Sequence, residues 1–205
     1  MQAKICGLSH LEEVNFCVKY RADFCGFILN YPKSHRHVSF NLSKKLTNIE
    51  KYKTKFVGVL VNPSNEELEK FSSLNVDYFQ IYGNYSEEDF KKIKIKYKKK
   101  LIVALQIKNK EDVFSYKKFV NCADIILWDS SGLEKSLEWN YDWMKITCSN
   151  IEKMIAGNIN IDKIQKISKL ADIVDVSGAL ETNKVKDINK IKNFLEKVKF
   201  INDQN

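Results

Sequence analysis

The chain has 205 residues, of which 44% are hydrophobic and 12% aromatic, and this is enough for one sizeable core and about the length of one domain. No apolar run is long enough for a signal peptide or a membrane span, which argues against a secreted or membrane protein. The five cysteines form no C-x-x-C pair, so we expect free thiols and a cytoplasmic location.

The net charge of +8 comes largely from lysine, and the segment KKIKIKYKKK at 91–100 is its densest run. A basic run of this kind can contact nucleic acid. It lacks the arginines and repeated aromatic side chains that single-strand binders use. We therefore interpret it as the solvated face of a helix and predict no nucleic-acid partner.

Short apolar runs alternate with stretches of helical period along the chain. The predicted strands are AKIC (3–6), DFCGFIL (23–29), KFVGVLV (55–61), DYFQIY (77–82), LIVALQI (101–107), DIILW (124–128), KMIAG (153–157) and DIVDVS (172–177). Strand followed by helix, eight times over, predicts an α/β fold in which a parallel sheet closes into a compact (βα)8 TIM barrel. We expect residues 1–205 to form this single domain.

The glycines fall on the same face of the predicted barrel. All seven lie inside a predicted strand or just beyond its carboxyl end, at positions 7, 26, 58, 83, 132, 157 and 178. Glycine is useful where the backbone turns sharply or approaches a ligand, and the carboxyl ends of the strands form the active face of such barrels. The glycines therefore predict one functional rim.

Four side chains on this rim are suited to catalysis or to substrate binding. Cys6 ends the first strand, Gln80 lies near the end of the fourth, and Asp129 follows the sixth. Arg36, in the loop NYPKSHRHVS after the second strand, suits bidentate capture of a carboxylate or phosphate. The two histidines of that loop have no third ligand nearby, so we predict no metal.

The exits of the last two strands read AGN (156–158) and DVSGALE (175–181). Small residues and backbone amides at this place form the usual phosphate cradle of such barrels. No P-loop or dinucleotide fingerprint is present, so the phosphate would belong to a small molecule. The substrate- or phosphate-binding candidates are Gly157, Asn158, Asp175, Ser177 and Gly178. A thiol, a carboxylate, a cationic loop and this cradle together predict acid–base chemistry on an anionic, phosphorylated substrate.

The motifs resemble those of the phosphoribosylanthranilate isomerases, the third enzymes of tryptophan biosynthesis. The resemblance runs through KICGLSHLEEV, DFCGFILNYPKSHRHVS, FVGVLVN, FQIYG, IILWDSS, YDWM, IAGNI and DVSGALE followed by KD. It implies an Amadori rearrangement of N-(5-phosphoribosyl)anthranilate to 1-(2-carboxyphenylamino)-1-deoxyribulose 5-phosphate, without a cofactor or metal. It also implies that Cys6 is the general base, that Asp129 is the general acid and that Arg36 holds the substrate carboxylate.

The chain departs from the family pattern at several positions. The segment KSLEWN (135–140), before YDW, has no glycine where a glycine-rich stretch is expected. Asn158 replaces a glycine, Gly178 replaces a serine, and Tyr82 replaces a histidine. Asn158 either adds a side-chain donor or is a turn residue in the left-handed region. For the loop around Trp139, we favour a bulkier lid over the anthranilate ring, and the alternative is a changed substrate.

Two other functions remain open at this stage. A related barrel isomerase could act on another phosphoribosyl amine, although a substrate with two phosphates would need a second cradle, and the third strand exits into the acidic VNPSNEE. A catalytically silent barrel could serve only as a binding protein, although the intact acid and base positions argue against it. The sequence leaves open whether the chain is a monomer or a homodimer.

Overall fold

The computed structural model describes residues 1–130, 137–147 and 150–204. Eight parallel strands close into a barrel in chain order, and β8 returns to pair with β1. The strands are β1 Gln2–Cys6, β2 Phe24–Ile28, β3 Lys55–Val61, β4 Tyr78–Tyr82, β5 Lys100–Ile107, β6 Ile125–Ser130, β7 Glu152–Ile155 and β8 Ile173–Val176. The predicted (βα)8 barrel is confirmed.

Regular α-helices follow β1 to β4 and β8, whereas the segments after β5, β6 and β7 are mostly short or of the 3-10 type. The α-helices are α1 Leu11–Lys19, α2 Phe40–Thr47, α3 Asn65–Ser72, α4 Glu87–Tyr97, α5 Ile164–Ile167 and α6 Ile188–Asn202. After β5, β6 and β7 the chain forms 3-10 helices at Glu111–Lys118, Tyr141–Ile146 and Ile161–Lys163, the last leading into α5. The sequence predicted the alternation but not these tighter turns. Across the described part of the chain, no helix has the length and apolar character needed to cross a membrane.

Local signals explain where α3 and α4 begin. Ser64 and Ser86 each accept a hydrogen bond from a backbone amide of the first helical turn, at Glu67 and Asp89. In turn, the carboxylates of Glu67 and Asp89 accept hydrogen bonds from the backbone amides of Ser64 and Ser86, which completes a capping box at each helix. Such caps satisfy amide groups that have no partner within the helix.

Side chains along each strand alternate between the barrel interior and the layer under the helices. In β6, Ile125 and Leu127 belong to the inner cluster, whereas Ile126 and Trp128 belong to the outer one. Asp129 lies two residues after Leu127, so the same alternation turns its carboxylate towards the interior. The strand is longer than the predicted 124–128, and Asp129 lies within it rather than after it.

A short antiparallel hairpin follows β8 and was not predicted. It pairs β9 Glu181–Thr182 with β10 Val185–Lys186. The two residues between them, Asn183 and Lys184, both have positive φ angles, of 52° and 66°, as a two-residue type I′ turn requires. The hairpin brings Glu181 and Lys186 to the rim of the barrel.

Trp128 should contribute strongly to stability. Its side chain is fully buried, packs against Tyr116, and donates a hydrogen bond of 3.0 Å to the carbonyl of Val113. We expect Trp128→Ala to lower the free energy of unfolding by about 3–5 kcal/mol, because it leaves a large cavity. Urea denaturation measures this difference. The exposed Ile95 gives the control, and Ile95→Ala should change the free energy by less than about 0.5 kcal/mol. Equal effects of the two substitutions would contradict this account.

Candidate active site

A cavity of about 330 Å³ opens at the carboxyl ends of the strands. All the predicted catalytic and substrate-binding residues line this cavity: Cys6, Arg36, Gln80, Asp129, Gly157, Asn158, Asp175, Ser177 and Gly178. Within the described residues, no group of three or more His, Cys, Asp or Glu side chains could hold a metal ion. The cavity is therefore lined by acid–base groups and anion-binding groups.

The floor of the cavity holds a buried ion pair. Lys4 on β1 is fully buried and donates a 2.7 Å hydrogen bond to Oδ2 of Asp175 on β8. Burial alone would lower the pKa of Lys4, but the negative charge of Asp175 and the hydrogen bond to it raise the pKa, so the amine remains an ammonium. The other carboxylate oxygen of Asp175, Oδ1, is buried and has no hydrogen-bond partner among the described residues, which leaves an acceptor at the floor of the cavity.

Cys6 ends β1 on the same face as Lys4, two residues further along. Burial raises the pKa of its thiol, and the ammonium of Lys4 opposes this rise. Asp175 adds to the rise, because a second negative charge nearby disfavours the thiolate. In the free protein the thiol therefore keeps its proton at neutral pH, with a cation beside it that stabilises the ionised form.

Asp129 shares the cavity with this thiol. Its Oδ2 accepts a 2.7 Å hydrogen bond from the hydroxyl of Tyr82, and its Oδ1 accepts one of 2.7 Å from the backbone amide of Ser130. Burial raises the pKa of Asp129 to about 6, against the opposing hydrogen bonds from Tyr82 and Ser130. A carboxyl group with this pKa can hold a proton and release it near neutral pH.

Arg36 reaches the rim from the loop after β2. Its Nε and Nη2 donate to the two carboxylate oxygens of Glu181, at 2.5 and 2.9 Å. Lys186 donates to the same carboxylate at 2.6 Å. Burial would raise the pKa of Glu181, but the hydrogen bonds from Arg36 and Lys186 lower it to about 2. The guanidinium is thus held along the edge formed by Nε and Nη2.

The side chain of Arg36 runs directly over Gly7. A Cβ atom at position 7 would stand 2.4 Å from Cδ of Arg36, and Gly7 has a φ of 75°. Any other residue there would strain the backbone and displace the arginine. The K-I-C-G motif therefore supplies both the thiol of Cys6 and the space that the arginine needs.

The exits of β7 and β8 form the remaining wall. Gly157 and Asn158 have positive φ angles of 103° and 49°, so Asn158 adopts the left-handed turn that the sequence allowed. Ser177 donates a 2.9 Å hydrogen bond from its hydroxyl to the carbonyl of Cys6, which ties the exit of β8 to the end of β1. Gly178, with no side chain, keeps this wall open beside Arg36.

Trp139 does not form the lid that the sequence suggested. It is buried, it donates a 2.8 Å hydrogen bond from Nε1 to the carbonyl of Ala156, and it does not line the cavity. Its ring lies against Gly157, where a Cβ atom would approach it to 2.9 Å. The glycine at 157 makes room for the indole, which supports the β7 exit from behind. Residues 135 and 136, which begin the glycine-free stretch 135–140, lie outside the described residues.

Four residues of the site received no role from the sequence: Lys4, Tyr82, Glu181 and Lys186. Strand alternation could have found two of them, because Lys4 precedes Cys6 by two residues and Tyr82 follows Gln80 by two. Glu181 and Lys186 depend on the hairpin after β8, and their contact with Arg36 joins residues far apart in the chain. No local pattern signals such a contact.

Comparisons with known proteins agree with this geometry. A family model described as N-(5'phosphoribosyl)anthranilate (PRA) isomerase matches residues 3–197. The N-(5'-phosphoribosyl)anthranilate isomerase of Streptococcus mutans is 36% identical over 203 residues, which cover 97% of this chain and 98% of that protein.

Two solved structures are similar over nearly the whole chain. Monomers generated from the dimeric isomerase of Thermotoga maritima superpose with a TM-score of 0.83 at 25% identity, covering 98% of this chain and 99% of theirs. An isomerase in complex with reduced 1-(o-carboxyphenylamino)-1-deoxyribulose 5-phosphate superposes with a TM-score of 0.80 at 25% identity and the same coverage. The family match over most of the chain, together with the barrel and its rim, shows that this chain belongs to the N-(5'-phosphoribosyl)anthranilate isomerase family.

Proposed function

We propose that this chain converts N-(5'-phosphoribosyl)anthranilate into 1-(2-carboxyphenylamino)-1-deoxyribulose 5-phosphate, the isomerisation that serves tryptophan biosynthesis. The observation that carries the proposal is a buried thiol and a buried carboxyl group, Cys6 and Asp129, on one cavity of a chain in this family. A relative of similar structure binds a reduced form of the product of this reaction. The reaction is an internal redox isomerisation and needs no external electron acceptor.

In the proposed mechanism the two groups act in turn. The carboxyl of Asp129 protonates the ring oxygen of the ribose, the bond from that oxygen to C1 breaks, and C1 forms an iminium with the anthranilate nitrogen. The thiolate of Cys6 then removes the proton from C2, which gives an enolamine. Transfer of the enol proton to C1 produces the ketone at C2. The electrons stay within the substrate throughout.

The surroundings of both groups support these roles. Burial raises the pKa of Asp129 to about 6, so that a useful fraction is protonated near neutral pH. The ammonium of Lys4 lies beside Cys6 and favours its thiolate against the effect of burial. Groups whose environments set their proton affinities in this way are typical of acid–base pairs.

The remaining candidates are assigned to substrate binding. We assign the anthranilate carboxylate to Arg36, because its guanidinium lines the cavity and Glu181 already orients it through Nε and Nη2. We assign the phosphate to the wall formed by the exits of β7 and β8, with Gly157, Asn158, Ser177 and Gly178. Gln80 and Asp175 also line the cavity, where they can accept hydrogen bonds from the ribose hydroxyls through oxygens that have no partner within the described part of the chain.

The proposal extends to the chain as a whole. We take residues 1–205 as one catalytic barrel, since β1 pairs with β8 and the family model covers 3–197. The partner is a small phosphorylated substrate, with no cofactor, metal, membrane or nucleic acid, and the location is the cytoplasm. The absence of a nucleic-acid partner is supported by the lysine-rich helix α4, because its Lys91, Lys94 and Lys96 pair with acidic side chains of this chain. The state in solution is a monomer or a homodimer, and a relative from Thermotoga maritima is dimeric.

Replacing either acid–base group tests the function directly. We expect Cys6→Ser and Asp129→Asn each to lower kcat at least about a hundredfold, because each removes a proton-transfer step. Complementation of a tryptophan auxotroph that lacks this isomerase gives the same answer in cells: the wild-type chain should restore growth and Cys6→Ser should not. Cys122→Ser, at a cysteine beyond the barrel interior, is the control and should behave as the wild type. Failure of the soluble wild-type chain to rescue growth would overturn the proposed function.

Arg36→Ala tests the carboxylate contact. Because the arginine binds a part of the substrate that does not react, we expect KM to rise at least about tenfold with a smaller change in kcat. Arg21, the other arginine of the chain, is exposed and supplies the matched control, Arg21→Ala. Steady-state kinetics on both variants would contradict the assignment if KM stayed at the wild-type value in Arg36→Ala.

The dependence of the rate on pH follows from the protonation states of Cys6 and Asp129. The active form carries one proton shared between Cys6 and Asp129, so the rate falls when both are protonated and again when neither is. Since the pKa of Asp129 is about 6, we expect kcat/KM to rise with pH through about 6. The pKa of Cys6 is raised, so the decline should come at alkaline pH. A value of kcat/KM that keeps rising as the pH is lowered below 5 would be incompatible with this acid–base pair.

A further inference from the structure

A second group in the cavity acts on the proposed acid. Tyr82 ends β4 and points inward, and its hydroxyl lies 2.7 Å from Oδ2 of Asp129 across the barrel. Tyrosine stands here where the family pattern has histidine. The mechanism given above does not use it, although it makes the only side-chain hydrogen bond to Asp129 among the described residues.

The direction of this hydrogen bond is set by the next residue in the chain of contacts. Nε2 of Gln80 donates to the hydroxyl oxygen of Tyr82 at 3.0 Å. An amide nitrogen can only donate, and a phenol has one proton. With its oxygen already accepting from Gln80, Tyr82 uses its proton on Asp129. Burial and the charge of Asp129 raise the pKa of Tyr82 well above its ordinary value, so the phenol keeps this proton in the neutral range.

A fixed donor of this kind favours the carboxylate over the carboxyl form. Hydrogen bonds to an ionised acceptor are stronger than those to a neutral one, and the 2.7 Å separation is typical of a phenol bound to a carboxylate. The bond therefore opposes burial, which is the main influence on Asp129. Among the described residues, the other charged or titratable groups that interact with Asp129 are Asp175 of β8, Lys4 of β1 and Tyr141 of the 3-10 helix after β6, and Cys6 of β1 interacts with Tyr82.

We propose that Tyr82 is a positioning residue that holds the carboxylate of Asp129 and stabilises it as the conjugate base that forms when the acid releases its proton. The inference rests on the proposed role of Asp129. Because phenol stays neutral over the working range, Tyr82 acts without a titration of its own there. Gln80 supports it from the strand interior, so one polar chain runs from Gln80 through Tyr82 to Asp129.

The test compares Tyr82→Phe with Tyr78→Phe. The second variant removes a hydroxyl from the same strand and the same interior face, away from Asp129. Two quantities are measured: the titration of Asp129 by NMR of ¹³C-carboxyl-labelled aspartate, assigned with Asp129→Asn, and the acid limb of kcat/KM. In Tyr82→Phe both should move to higher pH, by about one unit. In Tyr78→Phe both should stay at the wild-type values.

A second measurement keeps every atom of the contact. Biosynthetic incorporation of 3-fluorotyrosine makes the phenol a stronger donor, so the titration of Asp129 and the acid limb should move to lower pH. Fluorination of the Tyr82→Phe variant is the control and should leave both unchanged from that variant. Shifts of opposite sign from removal and from strengthening of one donor are not expected from a residue that only fills space.

The possible outcomes distinguish failure of the role of Tyr82 from failure of the proposed isomerase function. Isomerase activity combined with an unshifted Asp129 titration in Tyr82→Phe would overturn the role of Tyr82 alone. Equal fluorine shifts with and without the tyrosine at 82 would do the same. Absence of isomerase activity in the wild-type chain would overturn the proposed function, on which this role depends.

Discussion

The ion pair between Lys4 and Asp175 joins the first strand of the barrel to the last and sets the electrostatics of the cavity above it. The two residues are direct neighbours in the register of β1 and β8, so barrel closure itself brings the charges together. Buried pairs of this kind add little net stability, but removal of one partner leaves an uncompensated charge that costs about 3–5 kcal/mol. Once the pair is in place, its ammonium also lies beside Cys6, and its carboxylate adds a negative charge near Asp129. Closure of the fold and preparation of the site therefore depend on the same contact.

Charge balance at the rim differs from that at the floor. At the floor, one lysine faces one carboxylate, and the pair is neutral. At the rim, Arg36 and Lys186 face the single carboxylate of Glu181, which leaves one unit of positive charge. Because this cluster is half-buried, water screens the excess less than it would on the open surface. The rim is thus prepared for an anion before any ligand arrives, and little rearrangement is needed to bind one.

Much of this molecule could be predicted from the sequence, because the relevant signals are local. Short apolar runs between stretches of helical period predicted the strands, and glycines at strand ends predicted the rim. The side chains that line the cavity were found because strand ends meet at one face of a parallel barrel. The 3-10 helices after β5, β6 and β7 were missed because their apolar spacing resembles that of α-helices. The contact of Arg36 with Glu181 and that of Tyr82 with Asp129 each join residues that are far apart in the chain, and no periodic pattern contains them. Trp139 was expected in a lid over the cavity, because the other site residues match the family pattern, but its ring lies beside Gly157 instead.

The position of Trp139 gives the molecule a built-in optical reporter. Its indole packs against Gly157 and donates to the carbonyl of Ala156, so it adjoins the backbone proposed to receive a phosphate. The ring centroid of Trp143 lies 6.4 Å from that of Trp139. Trp128 is buried in the outer layer, where it packs against Tyr116. A dianion that binds at the β7 exit changes the electric field across the indole of Trp139 and leaves Trp128 in its apolar surroundings. Intrinsic emission therefore distinguishes occupancy of that end of the cavity from a change in the barrel as a whole, without any label.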